Sequence, residues 1–158
     1  MSLRIDEQVE PVVREAFAGA VVGDPGRFDR AFDAVAARGA AFAQHGALLA
    51  ATVDAAALFI LHGEQMPGDE QLRYLALQFE EAQAWAGIPP GVALTFLTAL
   101  ASGTPVVDVL PLERVAEMAF VMGGWLLSAF LPEGGEWTDF LDHILDSLEA
   151  MPPTDGAG

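Results

Sequence analysis

The sequence has no cysteine, no lysine and no asparagine, and Tyr74 is its single tyrosine. Without cysteine, disulfides, thiolate chemistry and Cys-ligated zinc are excluded. The missing Lys and Asn, beside abundant Ala, read as a GC-rich codon bias of the kind many bacterial proteins carry. That bias weakens any functional meaning of the alanine content. Strand signals are also scarce: Val106, Val107 and Val109 are β-branched but fall in a loop. The chain has no phosphate-cradling glycine loop, no HExxH pair and no nucleophile elbow. Ser2, Ser102, Ser128 and Ser147 have no sequence context that would activate a hydroxyl. No catalytic residue is therefore assigned, no cofactor is implied, and the expectation leans away from an enzyme. The opening MSLRIDEQVEP shows neither a charged-then-apolar run nor a cleavage site, so the expected location is cytoplasmic.

Charge of one sign is the other shortage. Seven arginines face 23 acids, for a net charge of −16 over 158 residues. Such a chain repels phosphate backbones and anionic lipid, so neither nucleic acid nor membrane is expected as a partner. Two readings of the charge remain: solubility, or complementarity to a basic protein partner.

What the sequence does have is helix punctuation. The first helix is expected from about Ile5 to Val22, with Ile5, Val9, Val13, Phe17 and Ala20 on one stripe and Pro11 near its start. Gly23 ends it. Asp24-Pro25 then supplies an N-cap and a proline at the first helical position, opening a second helix with Phe28, Phe32 and Val35. Arg38 falls on the face later used by Phe42, Leu49 and Val53, so the stripe turns at Gly39. That predicts a break or kink there, the alternative being one helix over 25–62. The third helix stops at Gly63. The fourth runs from Gly68-Asp69 to Gly87, the fifth from Pro89-Pro90 to Gly103, and the sixth from Pro111 to Pro132. The seventh spans about Thr138 to Met151. The expectation is an all-α single-domain bundle of six or seven helices over residues 1–151, followed by a disordered tail over 152–158. The third and sixth helices are the two central apolar ones.

The stretch HGALLAATVDAAALFILHGE, residues 45–64, is almost wholly apolar with one carboxylate in its middle. Wound as a helix, Leu48, Leu49, Thr52, Val53, Ala56, Phe59 and Ile60 form its main apolar stripe. Asp54 points the other way, among Ala47, Ala50, Ala51 and Ala57. A membrane span would carry Asp54 near the bilayer centre, at roughly 2.5–3.5 kcal/mol. A core helix of a soluble bundle is the simpler account, with the alanine side either wet or closely approached by another helix. The run Met118–Leu131 is too short to span and suits a buried helix.

Two groups of residues stand out as candidate sites. On the fourth helix, Tyr74, Gln78, Glu81 and Trp85 form a column off the core stripe, and aromatics with polar handles favour protein interfaces. On the sixth, Met118, Met122 and Trp125 lie beside Gly123-Gly124. With His45, placed on the large stripe of the third helix and expected to be at least partly buried, they would line an apolar ligand pocket between the two central helices. His62 is expected to serve the C-terminal end of its helix. Asp139, His143 and Asp146 share a face but make a weak ligand set, so no metal site is assigned. Two functions follow. One is an acidic, non-catalytic interaction module, such as an adaptor, an inhibitor, an immunity or antitoxin-like protein, or a self-associating subunit. The other is a helical domain that binds a small apolar molecule.

Overall fold

The computed structural model describes residues 8–89, 91–131 and 134–150. Expectations that rest on Ile5, Pro90, Pro132, Met151 or the tail 152–158 lie outside them. The described residues form seven α-helices: α1 (Glu10–Val22), α2 (Pro25–Ala37), α3 (Ala40–Leu61), α4 (Asp69–Ala82), α5 (Val92–Ser102), α6 (Leu112–Ser128) and α7 (Trp137–Ala150). Short 3₁₀ turns occupy Ala84–Ala86 and Val106–Asp108, the second at the valines expected in a loop. No strand occurs among the described residues.

The punctuation explains most of the boundaries. Pro11 lies in the first turn of α1, where its missing N–H is one the helix would leave unpaired anyway. Asp24 caps α2, its Oδ1 accepting from the N–H groups of Gly26 (3.0 Å) and Arg27 (3.2 Å). Gly39, with φ 104° and ψ 162°, separates α2 from α3 in a conformation that a residue with a Cβ resists. The break is therefore real. Arg38 reaches across it, its guanidinium 4.3 Å from the centre of the Phe42 ring. At the start of α4 the Gln71 side chain accepts from the Gly68 N–H at 2.9 Å, and Asp69 and Glu70 face the positive end of the helix dipole.

The core is centred on α6, in which every residue from Met118 to Leu127 is buried. The long α3 lies along it, and α1 covers α6 from another side. Two aromatic chains run through the interior. Phe17 and Phe32 both meet Phe120 edge-on, and Phe28 links Phe32 to Trp85. Trp125 lies between Phe79 (5.6 Å) and Phe130 (5.1 Å). At the surface, Arg27 donates two hydrogen bonds to Glu15, joining α2 to α1, and Arg14 donates to Asp142 at 2.7 Å, joining α1 to α7. Arg114 pairs with Glu117 along α6.

The buried face of α3 is not the one its large residues predict. Gly46, Ala47, Ala50, Ala51, Val53, Asp54, Ala57 and Leu58 are buried, whereas Leu48, Thr52 and Phe59 are exposed and Leu49, Ala56 and Ile60 only half-buried. Close approach decides this. The small residues let α3 settle against α6, where Gly123 presents no side chain; a Leu and Phe ridge would hold the two helices apart. Length and composition alone would let α3 cross a membrane. In this fold it touches α1, α2, α5, α6 and α7.

Candidate functional site

The most distinctive surface lies where α3 ends. Phe130 stands just beyond α6, edge-on to the Trp125 ring and 40% exposed. It forms the common wall of two clefts. One, of about 750 Å³, is lined by His62, Glu70, Gln71, Tyr74, Leu75, Leu77, Gln78 and Phe130. The other, of about 380 Å³, adds Leu61, Leu131, Phe140 and His143, with the acids Glu136 and Asp139. Tyr74 and Leu77 are spaced i, i+3 on α4, so both rise from one face. They are 63% and 66% exposed, high for side chains of their size. Three carboxylates line the two clefts, Glu70, Glu136 and Asp139, beside His62 and His143, and no arginine does. The surface is thus apolar at its floor and anionic at its rim.

The candidate column on α4 divides. Tyr74 and Gln78 line the larger cleft, and Glu81 is exposed further along the helix. Trp85 leaves the column because α4 ends at Ala82, not at Gly87, and the chain tightens into a 3₁₀ turn. There Trp85 is half-buried, edge-on to Phe28 at 5.7 Å, and its Nε1 donates to Gln83 Oε1 at 2.6 Å. It supports the α2 side of the core.

The four pocket candidates are not brought together. Met118 and Met122 are completely buried and Trp125 is nearly so, as filling of the core. His45 is exposed, which corrects the expectation of burial. The stripe that carries it is the one α3 turns outward, and it lies nine residues from Asp54, about 13 Å along the helix. His62 does serve its helix end: Nδ1 lies 2.7 Å from the Leu58 carbonyl oxygen. Asp139 and His143 share the smaller cleft, yet among the described residues no three His, Asp or Glu side chains gather as a cation site.

Sequence reasoning missed Leu77 and Phe130. Leu77 was visible as an apolar residue outside the stripe Leu72, Leu75, Phe79. Phe130 carried no such signal, because its place follows from where α6 ends against α4. Asp54 does lie among Ala47, Ala50, Ala51 and Ala57, and of the two alternatives for that side, wet or closely approached by another helix, the second holds. Asp54 is wholly buried, neither carboxyl oxygen has a hydrogen-bond partner, and burial pushes its carboxyl well above the usual carboxylate range. No family model, no curated protein and no solved structure matches this chain.

Proposed function

We propose that this protein is a non-catalytic interaction module, and that it holds a partner segment across the clefts either side of Phe130. The segment is an amphipathic stretch of a partner protein, apolar where it meets Tyr74, Leu77 and Phe130 and basic at its flanks. The observation that carries this reading is the joint exposure of Tyr74, Leu77 and Phe130 beside the carboxylates of Glu70, Glu136 and Asp139, with no arginine lining either cleft. Exposed aromatic and aliphatic anchors over a packed support are what interfaces concentrate. Phe130 has that support in Trp125. The charge of −16 then speeds encounter with a basic partner and disfavours acidic ones.

A second reading has one observation of its own. The larger cleft, about 750 Å³, falls within the roughly 300–1,000 Å³ of small-molecule sites. A small apolar ligand would therefore sit beside Tyr74 and Leu77, away from the α3–α6 seam.

The experiment titrates a leucine–lysine amphipathic peptide into the protein by calorimetry, at low and high salt. Leu77→Glu should weaken binding at least about tenfold, about 1.4 kcal/mol, whereas Asp33→Ser on the remote α2 should change it little. High salt should slow association by screening. A loss in Leu77→Glu no larger than in Asp33→Ser would overturn the docking surface, since charge attraction alone would strengthen binding when an acid is added. Binding of neutral apolar ligands but not the peptide would favour the second reading. Sedimentation of the free protein separates both from self-association.

A further inference from the structure

Asp54 is the only ionisable side chain that is buried among the described residues. It sits at the middle of α3, in the seam with α6. A Cβ placed on Gly123 would lie 2.5 Å from Asp54 Oδ1 and closer still to the ring of Phe17, so the absent side chain at Gly123 is the space the carboxyl uses. Neither oxygen is hydrogen-bonded and none of the residue is exposed.

Among the described residues, no charged group faces it from the helices packed around. On α1, Arg14 pairs with Glu10 and Asp142, and Glu15 pairs with Arg27 of α2. On α2, Asp29, Arg30 and Asp33 are exposed. Glu113, Arg114 and Glu117 lie in the first two turns of α6, outside its buried run, and α5 has no ionisable side chain. On α7, Asp139, Asp142, His143, Asp146 and Glu149 are all exposed. Within α3 itself, His45 is exposed, and His62, just past its last residue, is tied to the helix end. An ionised carboxylate in such a place would be an unpaired charge out of water, which proteins avoid by keeping the group neutral.

We propose that Asp54 is a proton-controlled latch on the α3–α6 seam: as the neutral acid it lets the helices close over Gly123, and loss of its proton drives them apart. The folded chain holds this proton more tightly than the unfolded chain, in which an aspartate titrates near about pH 4. The sign follows. The contribution is fully present below about pH 4 and is lost as pH rises through the raised folded value. Within that window the folding constant falls by up to about tenfold per pH unit on account of this one group.

The test is denaturant unfolding of the wild type, Asp54→Asn and Asp54→Ala from about pH 4 to about pH 9. The other carboxylates are common to all three proteins, so their effects cancel in the differences. The wild type should lose stability relative to both variants as pH rises, by up to about tenfold in folding constant per unit. Differences that stay constant across the range would overturn the latch. Infrared spectroscopy of the wild type needs no variant to fold. A protonated-carboxyl stretching band should persist at neutral pH, and its absence would overturn the proposal equally.

Discussion

At the scale of single residues, the two tryptophans nearest the candidate sites differ in how much they support. Trp125 is 6% exposed and sandwiched edge-on by two phenylalanines. Trp125→Ala should cost about 3–5 kcal/mol. Trp85 is half-buried with one ring partner and one hydrogen bond, so Trp85→Ala should cost less, about 1–2 kcal/mol. Sequence position alone would make Trp85→Ala almost neutral, because a continuous α4 would point that ring outward. Urea unfolding of both variants checks the order. A Trp85→Ala loss under about 0.5 kcal/mol would mean that its contact with Phe28 contributes little.

At the scale of elements, the seam between α3, α6 and α1 is built from residues too small to register as strong hydrophobes. Gly123 meets Asp54 and Phe17, and next to it Gly124 meets α1, where an added Cβ would lie 2.7 Å from that of Ala20. Glycine inside a helix costs about 1 kcal/mol relative to alanine, and here closeness offsets that cost. Gly123→Ala should therefore destabilise by about 1–3 kcal/mol through overpacking, despite the better helix former. Gly46 gives the opposite sign. Also buried and helical, it would place a Cβ at an ordinary 3.6 Å from Val13 Cγ2, so Gly46→Ala should stabilise by about 0.5–1 kcal/mol. Thermal unfolding of the pair measures both signs, and a stabilising Gly123→Ala would show that the seam has slack.

The same seam shows how far α3 was legible. Its existence and its centrality were plain from a long apolar run with few charges. Its orientation was not. Periodicity counts hydrophobic residues, and on that count Leu48, Leu49 and Phe59 should face inward. The buried face was chosen by how closely α6 can come, which depends on glycines some seventy positions further along the chain. With that orientation went the burial of His45 and the proposed pocket beside it.

At the scale of the whole molecule, charge sets the response to solution conditions. A net −16 on one small fold is self-repulsive. Neutralising surface acids and keeping the Asp54 proton both favour the folded state as pH falls from about 8 to about 5. Glu15 works in the other direction. The Arg27 hydrogen bond holds its carboxyl below the usual value, so its contribution is present above about pH 4 and is lost as pH falls through its lowered folded value. The melting temperature should rise on mild acidification, stop rising near about pH 4, and rise with added salt at neutral pH as repulsion is screened. Calorimetric scans over that grid check it. A melting temperature that falls steadily from about pH 8 to about pH 5 would mean that paired carboxylates outweigh repulsion and Asp54 together.

Local chemistry determined what the sequence could determine alone. Caps at Asp24, left-handed glycines at Gly23 and Gly39, and apolar periodicity without strand signals act within a few residues, so they determined the all-α class, most boundaries and the two central elements, and left the helix number at six or seven. Charge and the lack of motifs likewise are sums over the chain and need no coordinates. Tertiary structure decided what depends on neighbours distant in sequence. It ended α4 early and turned Trp85 inward onto Phe28. It set Phe130 beside Tyr74 and Leu77, and it closed α3 around Asp54 with its small residues inward. Burial is a property of pairs of surfaces, and no single helix carries the information of which face its partner can approach.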